Sequence, residues 1–79
     1  MALKISSLNV RGLAKKDKRE QIFTWLKNQP VSIALLQETH STTEFNSIWS
    51  QQWGAEAYFS GNNSRSQGIA ILINNNFNY

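Results

Sequence analysis

The sequence predicts an α/β protein whose elements run β-α-β-α-β-β around a parallel βαβ unit. Three observations lead there. Two short apolar segments, residues 3–10 and 31–37, bracket a stretch with helical hydrophobic spacing. A second helical stretch follows them. Two further apolar runs then enclose one polar connection, the pattern of an antiparallel hairpin.

Residues 3–10 alternate, with Leu3, Ile5 and Ser7 on one face and Lys4, Ser6 and Leu8 on the other. Gly12 ends this region as a residue free to take positive φ. A helix is expected from Lys15 or Asp17 to Asn28. Ile22, Trp25, Leu26 and Gln29 follow i, i+3, i+4, i+7 spacing, and Phe23 widens the face. Asp17 and Glu20 suit the positive end of its dipole. Pro30 disfavours helical geometry at Gln29 and stops it. Residues 31–37 read as a strand buried on both faces. Two strands joined by a helix are normally parallel, with a right-handed crossover. Thr42 or Thr43 opens the second helix, which turns Phe45, Ile48, Trp49 and Gln52 to one side, and Gly54 closes it. Residues 55–60 and 69–73 form the last two strands around the polar connection 61–68. The Asn-biased tail, 74–79, reads as turn or coil.

A chain of 79 residues holds one domain at most. It buries only ~60–65% of its unfolded surface, so its stability is marginal. The hydrophobic share of 41%, with three Trp and four Phe, points to a packed core. Without cysteine there is no disulfide or thiolate zinc site. The start lacks the basic and long apolar regions of a secretory signal. No apolar run approaches the ~20 residues of a membrane span. A nuclear or cytoplasmic location is expected, with the sequon at Asn62 unused. Net charge is +3, and five of the eight basic residues are Arg11, Lys15, Lys16, Lys18 and Arg19. That cluster suits a polyanionic partner, the plain alternative being a solvated helix start. Zinc-protease, P-loop, dinucleotide-binding and nucleophile-elbow motifs are absent, so those chemistries find no support.

The apolar run 33–36 stops abruptly at Gln37-Glu38-Thr39-His40. If the first two strands are parallel, Asn9 and Glu38 meet at the carboxyl rim of the sheet, where open α/β sheets collect ligands. One carboxylate and one neutral amide suit a hard cation such as Mg²⁺, which is often held by one or two carboxylates, waters and a substrate phosphate. Glu38 would ligate directly. Asn9 would hold a water or a phosphate oxygen without adding charge. Arg11 and the basic residues beyond it would draw in an anionic substrate. Spacing alone equally allows a solvated loop glutamate and an asparagine engaged in turn chemistry.

LNVRGL at 8–13, LLQETH at 35–40 and GIAILI at 68–73 resemble, in order and separation, the opening third of an endonuclease/exonuclease/phosphatase domain. The fuller set, adding KREQIFTWLKNQ, WG and YFS, is similar to the endonuclease at the start of LINE-type non-LTR retrotransposon polyproteins. That resemblance implies a four-layer α/β sandwich, of which this chain is a partial, N-terminal portion. It implies divalent-metal-dependent cleavage of DNA phosphodiesters with Mg²⁺ (or Mn²⁺), nicking chromosomal DNA to prime reverse transcription. The partners it implies are DNA, the rest of the domain and a reverse transcriptase region.

On this chain the first-motif asparagine falls on Asn9 and the metal-binding glutamate on Glu38. Arg11 stands where the family often has Asp. With Arg65 and Tyr58, it is a candidate substrate contact. Tyr58 also reads as a core or edge aromatic, and Arg65 as a solvated loop residue. His40 completes the ETH pattern but is not the family's catalytic histidine; a loop histidine bonding locally is expected. The later tyrosine, Asp-x-Asn and Ser-Asp-His motifs are absent from the sequence. The expectation is therefore an incomplete domain, inactive alone, with exposed strand edges and an uncovered apolar face. The alternatives are a non-catalytic nucleic-acid-binding remnant, or a branch acting on inositol phosphates, sphingomyelin or RNA tails.

Overall fold

Period-2 alternation in the first apolar run becomes β1 (Ile5–Asn9), with Leu8 against the core and Ile5, Ser7 and Asn9 facing away from it. The computed structural model describes residues 3–40, 43–60 and 68–74, without the side chains of residues 43 and 44. After β1 come α1 (Lys16–Lys27), β2 (Ile33–Gln37), α2 (Thr43–Trp53), β3 (Ala57–Ser60) and β4 (Ile69–Ile73), the predicted order. The sheet order is β1-β2-β4-β3. β1 and β2 are parallel, with Ile5 opposite Ile33 and Asn9 opposite Gln37. β4 runs antiparallel to both β2 and β3. No described helix is long and apolar enough to cross a membrane.

Both helices cover one face of the sheet. Ala34 and Leu36 of β2 and Ala70 and Leu72 of β4 point into a core closed by Phe23 and Leu26 of α1 and Trp49 and Trp53 of α2. Phe23 and Trp53 meet edge to face at 5.5 Å, which joins the helices over the strands. α1 ends at Asn28, whose side-chain amide donates to the Thr24 carbonyl at 2.9 Å. α2 ends one residue before Gly54, as predicted. Asn74 lies outside the strand, as expected of the tail, but is buried and donates to the carbonyls of Ser32 and Leu26; residues 75–79 lie outside the described residues.

Three burial expectations need correcting. β2 is buried on one face only, and Leu35 is 37% exposed. Both helices lie on the Leu36 side, and no described residue covers the other. On α1 the buried positions are Arg19, Phe23 and Leu26, whereas Trp25 is 49% exposed. The inward stripe is displaced because Arg19 finds polar partners inside and can occupy a core-facing slot. On α2 the inward residues are Trp49 and Trp53, while Phe45 and Ile48 are exposed. Two tryptophans four residues apart set the stripe and leave Ile48 outside it. Trp25→Gln and Ile48→Gln are accordingly expected to change stability by no more than about 0.5 kcal/mol each, as urea unfolding would read it.

Among the described residues nothing covers the sheet face away from the helices. Ser7, Leu35, Ile71 and Tyr58 lie in one cross-strand row and Asn9, Gln37, Ile69 and Ser60 in the next. Ile5 is 58% and Ile69 54% exposed on that face. The apolar surface continues over three strands, well beyond scattered single exposures.

Candidate functional site

The parallel ladder of β1 and β2 does not stop where the strands do. Val10 N–H donates to the Gln37 carbonyl at 3.0 Å, Gly12 N–H to that of Glu38 at 2.6 Å and Leu13 N–H to that of Thr39 at 3.0 Å. Thr39 N–H in turn donates to the Gly68 carbonyl at 3.2 Å, tying in the start of β4. Two loops are thus zipped together at the carboxyl rim of the parallel pair. The backbone bends sharply to allow this. Arg11, Glu38 and His40 have φ of 50°, 55° and 57°, in the left-handed region that non-glycine residues seldom enter. Such residues persist only where their surroundings over-determine them, and they gather at functional sites.

Gly12, at φ +93°, has a second constraint. A Cβ there would stand 2.9 Å from Nδ1 of His40. The imidazole lies against the glycine turn, and its Nε2 is buried with no hydrogen-bond partner among the described residues. The local hydrogen bond expected of His40 is not found among the described residues; its ring packs against Gly12 instead.

This zipper brings Asn9 and Glu38 together across 29 residues of sequence. The Asn9 side-chain amide donates to Oε2 of Glu38. Its Oδ1 accepts from the Arg11 backbone N–H at 3.2 Å. The turn chemistry expected of Asn9 is seen at its oxygen, while its amide clasps the Glu38 carboxylate. The amide is thereby fixed in orientation, and Glu38 is half-buried beside it.

The basic cluster divides. Arg19 is only 8% exposed. It donates from Nη1 to the carbonyls of Leu13 (2.9 Å) and Ala14 (3.2 Å) and from Nε to Gln52 at 2.6 Å. Its guanidinium sits 5.1 Å from the Trp49 ring centroid. Burial pushes its pKa down from the ordinary value, opposed by the charge of Glu20. Arg19 is thus a structural clamp between α1, the 13–14 loop and α2, not a cation offered to a polyanion. The signal was present in the sequence, since Arg19, Phe23 and Leu26 fall at i, i+4, i+7. Lys16 pairs loosely with Glu20 at 3.9 Å on the solvent side. Arg11, Lys15 and Lys18 remain near the rim, where with Gly12, Ala14 and His40 they line a depression of about 320 Å³. Lys18 Nζ donates to the Arg11 carbonyl at 3.2 Å.

Tyr58 lies elsewhere. It stands exposed on β3, with β2 and β4 between it and β1, about 14 Å across three strand spacings. Its hydroxyl donates to the Glu56 carboxylate. That hydrogen bond, with smaller contributions from desolvation and the carboxylate charge, holds the phenol above its usual range. A raised pKa favours the neutral phenol. The contact is therefore complete below the free-tyrosine value and lost as pH rises through the higher folded value. In a Tyr79→Phe background, ultraviolet absorbance titration should place Tyr58 above free tyrosine, and Glu56→Gln should bring it back. Arg65 and the sequon lie outside the described residues.

The rim provides one carboxylate and one amide. Among the described residues no group of three or more His, Asp or Glu side chains could hold a metal. A cation that keeps most of its water, as Mg²⁺ does, asks for few protein ligands, and Glu38 is the residue here that would supply a carboxylate to one.

Fold and rim together define an α/β protein with a polar site at the carboxyl ends of its parallel strands. The chain is similar to the transposon TX1 uncharacterized 149 kDa protein of Xenopus laevis, with 32% identity over 77 residues. The match takes in 98% of this chain and spans 6% of that protein's length. It relates the chain to a transposon-encoded protein. No family model matches the chain.

Proposed function

We propose that the chain is the N-terminal part of a retrotransposon endonuclease domain of the endonuclease/exonuclease/phosphatase type, which hydrolyses DNA phosphodiesters with Mg²⁺ or Mn²⁺. The observation that carries this reading is the Asn9–Glu38 contact at the rim. Three of the quoted segments meet there, since Gly68 joins through Thr39. Similarity to a transposon protein and the bare apolar sheet face support it further. An apolar sheet face calls for a second layer against it, as a sandwich would supply.

When bound, the metal would offset charge on the phosphoryl oxygen and on the leaving alkoxide. The protein's part is positional. Glu38 holds the ion. Asn9 fixes the carboxylate through its amide, and its own orientation is fixed by the Arg11 N–H. Arg11, in place of a second acid, leaves the ion with fewer protein ligands and adds positive charge for the substrate.

The chain alone lacks the later motifs, so it is expected to take up Mn²⁺ weakly and to leave supercoiled plasmid intact. Glu38→Gln should abolish the uptake. Plasmid nicking that survives Glu38→Gln would overturn the assigned role.

A further inference from the structure

The ladder that continues past β1 and β2 slips by one residue. Val10 N–H donates to the carbonyl of Gln37, but Gly12 N–H donates to that of Glu38 and Leu13 N–H to that of Thr39. Between the first two bonds one loop advances by two residues and the other by one, so Arg11 is an extra residue, at φ 50°. Such bulges re-aim side chains. This one turns the Arg11 N–H onto Oδ1 of Asn9, while the amide end of Asn9 faces Glu38. The bulge needs support, because Arg11, Glu38 and His40 all hold a costly left-handed conformation. The His40 ring is placed to give it. Gly12 directly follows the bulge, and a Cβ there would stand 2.9 Å from Nδ1, 3.4 Å from Cε1 and 3.6 Å from Cγ of His40. The ring thus takes the space that a side chain on residue 12 would fill. On β4's side, a Cβ on Gly68 would stand 3.4 Å from the His40 backbone nitrogen. His40 is therefore wedged between two residues without side chains, one in the first loop and one at the start of β4. Its Nε2 is buried and has no hydrogen-bond partner among the described residues, so that nitrogen does not seat the ring; its shape does.

We propose that His40 is the positioning residue of the rim: its ring, seated on Gly12, locks the bulge at Arg11 and thereby holds Asn9 against Glu38. In this role it touches neither ion nor substrate and acts through those two side chains. Its consequence for ion binding rests on the proposed function. Its hold on the Asn9–Glu38 contact needs no metal, so the two ideas fail separately. A ring that only filled space would leave that contact unchanged when removed.

The test compares His40→Gly with His40→Phe in ¹⁵N–¹H spectra recorded in EDTA. Glycine removes the ring yet accepts the left-handed backbone without strain, so any loss comes from the ring and not from φ. Phenylalanine keeps a flat ring and removes both nitrogens. In His40→Gly the amides of Gly12 and Leu13 should exchange faster with solvent, while protected amides within β2 and β4 keep their rates. The side-chain amide signals of Asn9 should move to the place they take in Glu38→Gln. In His40→Phe both readouts should stay as in the parent. With metal added, Mn²⁺ uptake should weaken about tenfold or more in His40→Gly, as loss of an outer partner of a metal ligand does, and should recover in His40→Phe. Unchanged Asn9 signals in His40→Gly would overturn the proposal. So would Asn9 signals displaced in a folded His40→Phe, which decides the matter even where His40→Gly does not fold. Mn²⁺ uptake that persists in Glu38→Gln would instead count against the proposed function, and the spectra in EDTA would still judge the role of His40.

Discussion

Trp53→Ala is expected to leave the chain largely unfolded at 25 °C. Trp53 is 1% exposed and lies where both helices meet the sheet. One edge receives Phe23 at 5.5 Å, and Lys27 Nζ stands 5.2 Å from its ring centroid. Its Nε1–H donates to the Ile73 carbonyl at 3.0 Å, tying α2 to the end of β4. Large aromatic-to-alanine changes in cores cost about 3–5 kcal/mol. An orphaned carbonyl adds about 1–3 kcal/mol. A domain of this length has only about 4–12 kcal/mol in total. Far-ultraviolet circular dichroism in a urea series should show the transition lost or moved to very low denaturant. Trp53→Phe keeps most of the volume and the contact with Phe23, so it should retain a cooperative transition at reduced urea. A normal transition in Trp53→Ala would mean that the two helices are not held through this residue.

Gly68→Ala is expected to be nearly as damaging, and its damage reaches the site. Gly68 has φ +111°, and a Cβ there would stand 2.7 Å from Thr39 Oγ1 and 3.0 Å from the Ser60 carbonyl. Forcing a side chain into that backbone conformation costs about 1–3 kcal/mol. The overlap with a fully buried threonine and a backbone oxygen costs about 1–3 kcal/mol more. The least costly relief is to push Thr39 away, which breaks its bond to Gly68 and moves the neighbouring Glu38. Urea unfolding should therefore show a loss of about 2–6 kcal/mol. Mn²⁺ uptake should fall with it, even under conditions where the variant stays folded. Unchanged uptake in a folded Gly68→Ala would disconnect β4 from the rim.

Element order, the parallel βαβ unit and the hairpin were all legible, because periodicity and turn residues are local signals. Which face of each helix turned inward was less so. The spacing of Ile22, Trp25 and Leu26 was sound, but helix orientation is decided by what the sheet and the other helix accept. Here the space between α1 and α2 accepts a clamped arginine and two tryptophans. β2 looked buried on both sides because Ile33-Ala34-Leu35-Leu36 is apolar throughout; composition cannot tell a covered face from an apolar one left open. The meeting of Asn9 and Glu38 followed from topology alone. The left-handed turns at Arg11, Glu38 and His40 did not, since none of these residue types announces positive φ. They arise from the ladder that continues past the strand ends, a tertiary constraint with no local signature. The depression shared by Arg11, Lys15 and Lys18 was visible only as a charge cluster until burial removed Arg19 from it.

Paramagnetic mapping with Mn²⁺ tests whether Asn9 and Glu38 form one seat for a divalent ion. In ¹⁵N–¹H spectra of the chain titrated with substoichiometric Mn²⁺, amides of residues 9–12 and 37–40 should broaden first, and Glu38→Gln should abolish the effect. Broadening that starts around Asp17 and Glu20 on the outer side of α1, or that persists unchanged in Glu38→Gln, would contradict it.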